Sequence, residues 1–329
     1  MTSANIHGII LSEFENMRIE HGRLQKAYDV FDSLRETKRR APFQPKRWSS
    51  IFAPTGSGKS TAIRMYLENI VAKEAIKRGL FSAEMKPFEI AARQRIVVHI
   101  TLEGVTNIKN LMQAILFAMG GPTKGTKSEL TRLVYDHLKE PMVELLIIDE
   151  LQHLIPKKDQ GKRPDDQGDE PTAITDTLKS MLIHGCVPMV FVGIDEARPV
   201  IFNSKQLAGR NVQQIDYSCL DWTILSERKI FLNYCGNVGL KLKQHALFEQ
   251  PSNFLVGDIP ACLHAASCGR LGMVSRIAEQ AALVAADEES PQVQREHLEK
   301  AVDRWAIPTR IIDYNPFRSG ITEAKLVKK

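Results

Sequence analysis

Ala53-Pro-Thr-Gly-Ser-Gly-Lys-Ser60 stands between a short apolar run, Ser49–Phe52, and the segment Ser60–Ala75, which carries Ile63, Tyr66, Leu67, Ile70 and Val71 on one helical face. Strand, glycine-rich turn, helix is the setting in which a phosphate-binding loop works. Gly56 and Gly58 let backbone amides turn inward around a β-phosphate, and the helix N-terminus adds its dipole. Lys59 is placed to bridge β- and γ-phosphates, and the Ser60 hydroxyl to ligate Mg²⁺. The octet departs from GxxxxGK[ST] only at its first position, where Ala53 stands for Gly, a position that mainly shapes the turn. Ala53, Pro54, Thr55, Gly56, Ser57, Gly58, Lys59, Ser60 and Thr61 are therefore the candidate ATP-binding residues.

The complement lies downstream in Val143–Glu150 (VELLIIDE), an apolar strand closing on two carboxylates. That pattern puts Asp149 at the carboxyl edge of the sheet, where open α/β sheets bind ligands. Asp149 is expected to hold Mg²⁺, directly or through water, and Glu150 to orient and polarise an attacking water. A third element, Val187–Ala197 (VPMVFVGIDEA), should bring a polar side chain to the γ-phosphate. Its tip offers Ile194 and then Asp195. Asp195 serves either as that catalytic group or as a helix N-cap ahead of Glu196 and Ala197.

Working outward, apolar runs at Ser49–Phe52, Ile96–Ile100, Leu145–Ile148 and Val187–Val192 read as buried parallel strands. Val212–Tyr217 reads as a fifth, edge strand. Helical segments at Ser60–Ala75, Ile108–Met119, Lys127–Leu138 and Thr172–His184 alternate with them. The predicted fold is α/β, a three-layer P-loop sandwich with a parallel sheet. After Leu220 the strand pattern ends; Asp221–Gly236, Ile259–Cys268, Met273–Ala286 and Gln294–Trp305 suggest a small all-α lid domain. The expected organisation is a helical lead-in with a basic linker (1–47), the nucleotide-binding domain (48–220), the lid (221–305) and an extended tail (306–329). Within the first, Arg35–Arg47 (RETKRRAPFQPKR) reads as a solvated connector ahead of the alternative, a dedicated DNA contact. Pro156–Pro171, with almost nothing apolar, reads as a mobile loop.

Of 329 residues, 43% are hydrophobic and 25% charged, ordinary for a soluble globular protein. The longest apolar runs are too short to span a bilayer, and Met1–Leu11 lacks the basic start and apolar core of a signal peptide, so a cytoplasmic location and no membrane partner are expected. Five cysteines without a CxxC pair argue against a disulfide framework or a zinc site. A net charge of +5 permits a nucleic-acid partner without demanding one.

The order of helical lead-in, APTGSGKS, LLIIDELQHL, VFVGIDEA, QLAGR and helical lid is similar to the TniB/TnsC group of transposition AAA+ ATPases, over about residues 15–305. Its most specific parts are IIDELQHL and the stretch from GIDEA to QLAGR. The resemblance implies an ATP- and Mg²⁺-dependent regulator that forms a homo-oligomer, ring or helical filament, along duplex DNA. It would mark a target and recruit or activate a DDE-type transposase, often with a target-selection protein. By position, Arg210 in QLAGR matches the family's arginine finger, which reaches the γ-phosphate of a neighbouring subunit. The lid is expected to add an arginine near the nucleotide, from Arg270 or Arg276 in GRLGMVSR, with Arg276 assigned to ATP. Many relatives carry Thr where this chain has Ile194. The family's DNA-facing surface corresponds to Thr106–Arg132, with Lys109, Lys124 and Lys127 as the DNA-binding candidates; it has no base-reading constellation, so binding should be largely sequence-independent. Two other readings fit the same core: an ATP-binding adaptor that does not hydrolyse, and a replication-loader or secretion-type ATPase.

Overall fold

The computed structural model describes residues 3–104, 107–155 and 170–321. In chain order its elements are α1 (Ser3–Asn16), α2 (Gly22–Arg40), β1 (Trp48–Phe52), α3 (Lys59–Tyr66), α4 (Ala72–Lys77), α5 (Pro87–Arg93), β2 (Val97–Thr101), α6 (Ile108–Ala118), α7 (Lys127–Lys139), β3 (Leu145–Asp149) and α8 (Glu170–Ile183). There follow β4 (Met189–Gly193), α9 (Arg198–Phe202), α10 (Lys205–Ala208), β5 (Asn211–Gln214), α11 (Leu225–Gln244), α12 (Ile259–Ser267), α13 (Leu271–Asp287), α14 (Arg295–Ala301) and α15 (Pro316–Ser319). The loop expected at Pro156–Pro171 lies outside the described residues except for Glu170 and Pro171, with which α8 begins. Among the described residues, no helix is long and apolar enough to cross a membrane.

The chain divides into two compact units: Gln25–Pro54 with Lys59–Tyr217, and Met1–Leu24 with Thr55–Gly58 and Ser218–Lys329. The stretch 1–47, read above as one lead-in, is thus divided between them after Leu24.

The first unit holds a five-stranded sheet in the order β2-β3-β4-β1-β5, with every pairing parallel. β1, β3 and β4 are buried along their whole length, which is why β3 and β4 read as continuous apolar runs rather than alternating ones; β1 also buries Ser49 and Ser50. Leu111, Ile115, Leu130, Val134, Leu178 and Leu182 from α6, α7 and α8 pack with Trp48, Leu146, Ile148 and Phe191 in a single core. β5 is the expected edge strand, four residues long and mostly exposed. The helix after the glycine loop is longer and less regular than its pattern suggests: a π-helical turn at Leu67–Val71 separates α3 from α4. Helix α5 escaped the sequence reading because Ile90 is its one buried residue, so no hydrophobic period marks it.

The clearest departure is the basic stretch Arg35–Arg47. It is not a solvated connector: α2 runs on to Arg40, and Arg35, Lys38 and Lys46 are buried. Arg35 donates to Glu144 Oε2 at 2.9 Å, to Asp32 at 3.0 Å and to the Tyr66 hydroxyl at 2.9 Å, and it also pairs with Glu74. Arg39 and Arg78 reach Glu144 at 2.7 and 2.6 Å. Lys38 donates to the Leu138 carbonyl at 3.2 Å and to that of Cys186, tying α2 to the C-terminal ends of α7 and α8. Burial, then neighbouring Lys46, pushes the Lys38 amine down to about 8. A cation is buried when it is paired. Apart from Asp32, three residues from Arg35, these partners lie tens to more than a hundred residues away, where local composition cannot reveal them.

The second unit is helical. Ile10, Met17 and Ile19 join Phe231, Val238, Leu263, Ile277, Ala281, Leu298 and Val302 in its core. Helices α12 and α13 lie within two residues of the expected bounds, whereas α11 starts at Leu225 and runs to Gln244, well past the expected end at Gly236. The described part of the stretch expected as an extended tail contains α15, whose Phe317 is buried. All five cysteines are free thiols.

Candidate nucleotide site

The parallel register brings the carboxyl ends of β1, β3 and β4 to one edge. Phe52 lies beside Gly193, Ile148 beside Phe191, and the Ala53 N–H donates to the Gly193 carbonyl at 3.2 Å. From that edge the chain enters the glycine loop. Gly56 and Gly58 adopt φ of 79° and 91°, a region that a side chain strains, and both turns depend on glycine.

Lys59 opens α3 and is almost fully buried. Its ammonium donates to the Ala53 and Pro54 carbonyls at 2.7 and 3.1 Å. Burial pushes its pKa down, while the carboxylates of Asp149, Glu150 and Asp195 oppose the shift. The Ser60 hydroxyl donates to Asp149 Oδ2 at 2.8 Å, across 89 residues of sequence. Asp149 is 1% exposed. Burial raises its carboxyl pKa, but His99, the Ser60 hydroxyl and the Glu150 N–H outweigh this, and the net shift is downward. The group therefore stays ionised at neutral pH.

His99 had no role in the sequence reading. It sits on β2 with Nε2 3.8 Å from Asp149 Oδ2. The one available signal was a histidine between the apolar residues Val98 and Ile100 of the strand VVHIT.

Glu150 takes a left-handed conformation, φ 61° and ψ 42°, turning the chain out of β3 into a 3₁₀ turn at Leu151–Leu154. Its backbone N–H donates to Asp149 Oδ1 at 2.8 Å. A converging serine hydroxyl and aspartate carboxylate form a hard oxygen donor set suited to Mg²⁺. A buried ammonium and a glycine-framed loop at a helix start suit phosphates. The residues present thus fit ATP with Mg²⁺.

Other expected residues are placed as follows. Asp195 does not cap the 3₁₀ turn Asp195–Ala197 with its side chain; it accepts from Arg198 Nε at 2.9 Å, and Arg198 also holds Gln214 at 2.6 Å. Arg210 follows α10 at the start of β5, half-buried, with one guanidinium nitrogen 3.5 Å from the Lys46 carbonyl. Within the helical unit, Arg276 pairs with Glu279 at 3.0 Å, whereas Arg270 donates to the Thr55 carbonyl at 3.3 Å. Lys109, Lys124 and Lys127 are all exposed, on α6, the intervening turn and α7; Thr106 lies outside the described residues. The turn is braced by a Thr126–Glu129 capping box and by Gln113 donating to the Thr123 carbonyl at 2.9 Å.

Residues 44–201 match the AAA domain family. With the sheet order and the loop described above, the fold is that of a P-loop AAA+ protein with a helical C-terminal region. It is similar to the ORC2 protein of Aeropyrum pernix in its ADP form, with a TM-score of 0.59 and 12% identity over 89% of this chain and 72% of that one. The ADPNP–ADP complexes of the same protein give 0.53 and 12%, over 94% and 70%. Cdc6p of Pyrobaculum aerophilum gives 0.54 and 14%, over 89% and 70%. At such identities the likeness concerns the fold. No curated protein matches the sequence.

Proposed function

We propose that this protein is an ATP-switched AAA+ ATPase that assembles on duplex DNA and serves a DNA transposition system, where it marks a target and recruits a DDE-type transposase. The observation that carries the ATPase part is the convergence of Lys59, Ser60, Asp149 and Glu150 at one sheet edge, with Ser60 and Asp149 2.8 Å apart. Lys59 and the loop amides hold the phosphates, Ser60 and Asp149 hold Mg²⁺, and Glu150 orients water for attack on the γ-phosphorus, releasing ADP and phosphate. Arg210 reaches the γ-phosphate of a neighbouring copy and couples turnover to assembly. Of the lid arginines, the contact of Arg270 with the Thr55 carbonyl supports Arg270 ahead of Arg276 as the one near the nucleotide.

The DNA part is supported by the exposed lysines 109, 124 and 127 around the α6–α7 turn. The transposition part is supported by the resemblance of IIDELQHL and of GIDEA to QLAGR. A loader acting with a helicase partner is the second reading, favoured by a fold shared with ORC2 and Cdc6p.

The test is fluorescence anisotropy on a random-sequence duplex with ATP, with ADP and without nucleotide, across a salt series. Cooperative, ATP-dependent binding that weakens steeply with salt and little with sequence is expected. Replacing the three lysines together should flatten the salt slope while leaving ATP affinity intact. Equal binding in all three nucleotide states removes the switch. No binding in any state removes the DNA scaffold and leaves an ATPase acting on protein partners. Co-purification with a transposase rather than a helicase distinguishes the first reading from the second.

A further inference from the structure

The tip of β4 lacks the polar side chain that a γ-phosphate site needs, because Ile194 occupies it and Asp195 is engaged by Arg198. The same tip is nevertheless reached by a polar group from the adjacent strand. Gln152 lies in the 3₁₀ turn after β3, held there by Leu151 and Leu154, which are 0% and 3% exposed. Its side-chain amide makes two contacts: Nε2 donates to Glu150 Oε2, and Oε1 accepts the Ile194 N–H at 3.4 Å. The two contacts fix which way the amide faces. A backbone N–H can only donate, so the amide oxygen must face Ile194 and the NH₂ must face the carboxylate.

The neighbouring backbone makes room for this bridge. A Cβ at Gly193 would lie 3.2 Å from Gln152 Oε1 and 3.2 Å from Leu151 Cβ, so a larger residue there would crowd the amide off the strand tip. Glu150, in its left-handed turn, projects its carboxylate to the side from which Gln152 approaches. One amide thereby joins the end of β3 to the end of β4.

We infer that Gln152 is a positioning residue for Glu150, supplying through its side-chain amide the polar group that β4 does not carry at Ile194. One hydrogen of its NH₂ holds the carboxylate in place. The second remains to donate to the water that Glu150 orients. The bridge to the Ile194 N–H makes the carboxylate position depend on β4, the strand beside the γ-phosphate. This rests on the reading of Glu150 as the water-orienting group.

The experiment measures steady-state ATP hydrolysis by the full-length protein, with Mg²⁺ and duplex DNA, beside equilibrium titration with a fluorescent ATP analogue. Gln152→Ala should lower kcat about 10- to 100-fold, the range typical of losing an outer-shell partner that orients a reacting group. Its nucleotide affinity should stay within about threefold of the parent, because the Lys59, Ser60 and Asp149 contacts are untouched. Adding Ile194→Asn to Gln152→Ala puts a polar group back at the strand tip and should recover at least about fivefold of the lost kcat.

A purely structural glutamine would lose nucleotide affinity along with kcat and would not be rescued by the double variant. Parental kcat in Gln152→Ala overturns the inference. So does a loss of nucleotide affinity in parallel with kcat, or a double variant no more active than Gln152→Ala. Wild-type turnover separates this from the reading beneath it: a wild type that binds ATP without hydrolysing it overturns both, whereas a hydrolysing wild type with an indifferent Gln152 overturns only the positioning role.

Discussion

Replacing Arg35 by Ala tests whether the basic stretch before the sheet is part of the core. The guanidinium is 1% exposed and contacts Glu144, itself 2% exposed, at 2.9 Å, along with Asp32, Glu74 and Tyr66. Removing one partner of a buried ion pair costs roughly 3–5 kcal/mol, because the remaining charge is stranded. Here Glu144 keeps Arg39 and Arg78 at 2.7 and 2.6 Å, which offsets part of that loss. We therefore expect about 2–4 kcal/mol of destabilisation. In a sheet unit of roughly two hundred residues, each kcal/mol moves Tm by about 2–4 °C, so the shift should be roughly 5–15 °C. The assay is thermal unfolding followed by circular dichroism, with Arg40→Ala as the control. Arg40 sits five residues further along the same helix, pairs with Glu36 and has an 80% exposed side chain, so its removal should leave Tm nearly unchanged. Glu144→Gln keeps the shape and removes the charge; it should also lower Tm, by leaving three guanidinium groups competing for the Glu74 carboxylate. Equal Tm shifts for Arg35→Ala and Arg40→Ala would refute the reasoning and return the stretch to the status of a solvated connector.

Lys59→Ala should weaken ATP binding by about 10- to 100-fold in equilibrium titration, the loss of one charge-assisted contact to phosphate, and with it any ATP-dependent assembly; unchanged affinity rejects the site. Glu150→Gln should retain Mg²⁺–ATP while slowing phosphate release by orders of magnitude and prolonging the ATP-bound assembly; parental turnover rejects its role. Arg210→Ala should bind ATP but hydrolyse poorly, and mixing it with Glu150→Gln protein should recover some activity at interfaces that pair an intact site with an intact finger. No recovery at any ratio, with both proteins co-assembling, makes Arg210 structural. Burial first, and nearby Arg23 second, push the His21 imidazole down to about 4 from 6.5. The unfolded chain therefore takes up the proton before the folded one does. Stability from this group is fully present above about 6.5 and is lost as pH falls toward 4, by up to about 3 kcal/mol. His21→Phe should flatten that part of a stability–pH curve measured by urea unfolding; an unchanged slope places the acid sensitivity elsewhere.

Much of this architecture was legible because its signals are local. A glycine-rich loop between an apolar run and an amphipathic helix, and an apolar run closing on Asp149-Glu150, each announce themselves within about ten residues of chain. The buried strands β3 and β4 show as unbroken apolar segments because both faces are covered. From these came the α/β class, the parallel sheet and the candidate phosphate-loop residues, and the helical segments after Leu220 gave the helical C-terminal region.

Interactions between distant residues were not legible, and three cases show why. Arg35, Lys38 and Lys46 look solvated in the sequence, since charge is a property of the residue while burial depends on partners such as Glu144 and the Leu138 carbonyl. The second unit takes in residues 1–24, because Ile10, Met17 and Ile19 pack with helices more than two hundred positions later. At the site, motif spacing placed Asp149 and Glu150, but it could not show that Gln152 lies across the strand tip where Ile194 leaves no polar group. The sequence by itself determined which short segments could become strands, helices and a phosphate loop, because periodicity and glycine placement act over a few residues. Only the tertiary structure decided which charges are buried and which side chains meet at the sheet edge, because those depend on the register of parallel strands joined by long crossovers.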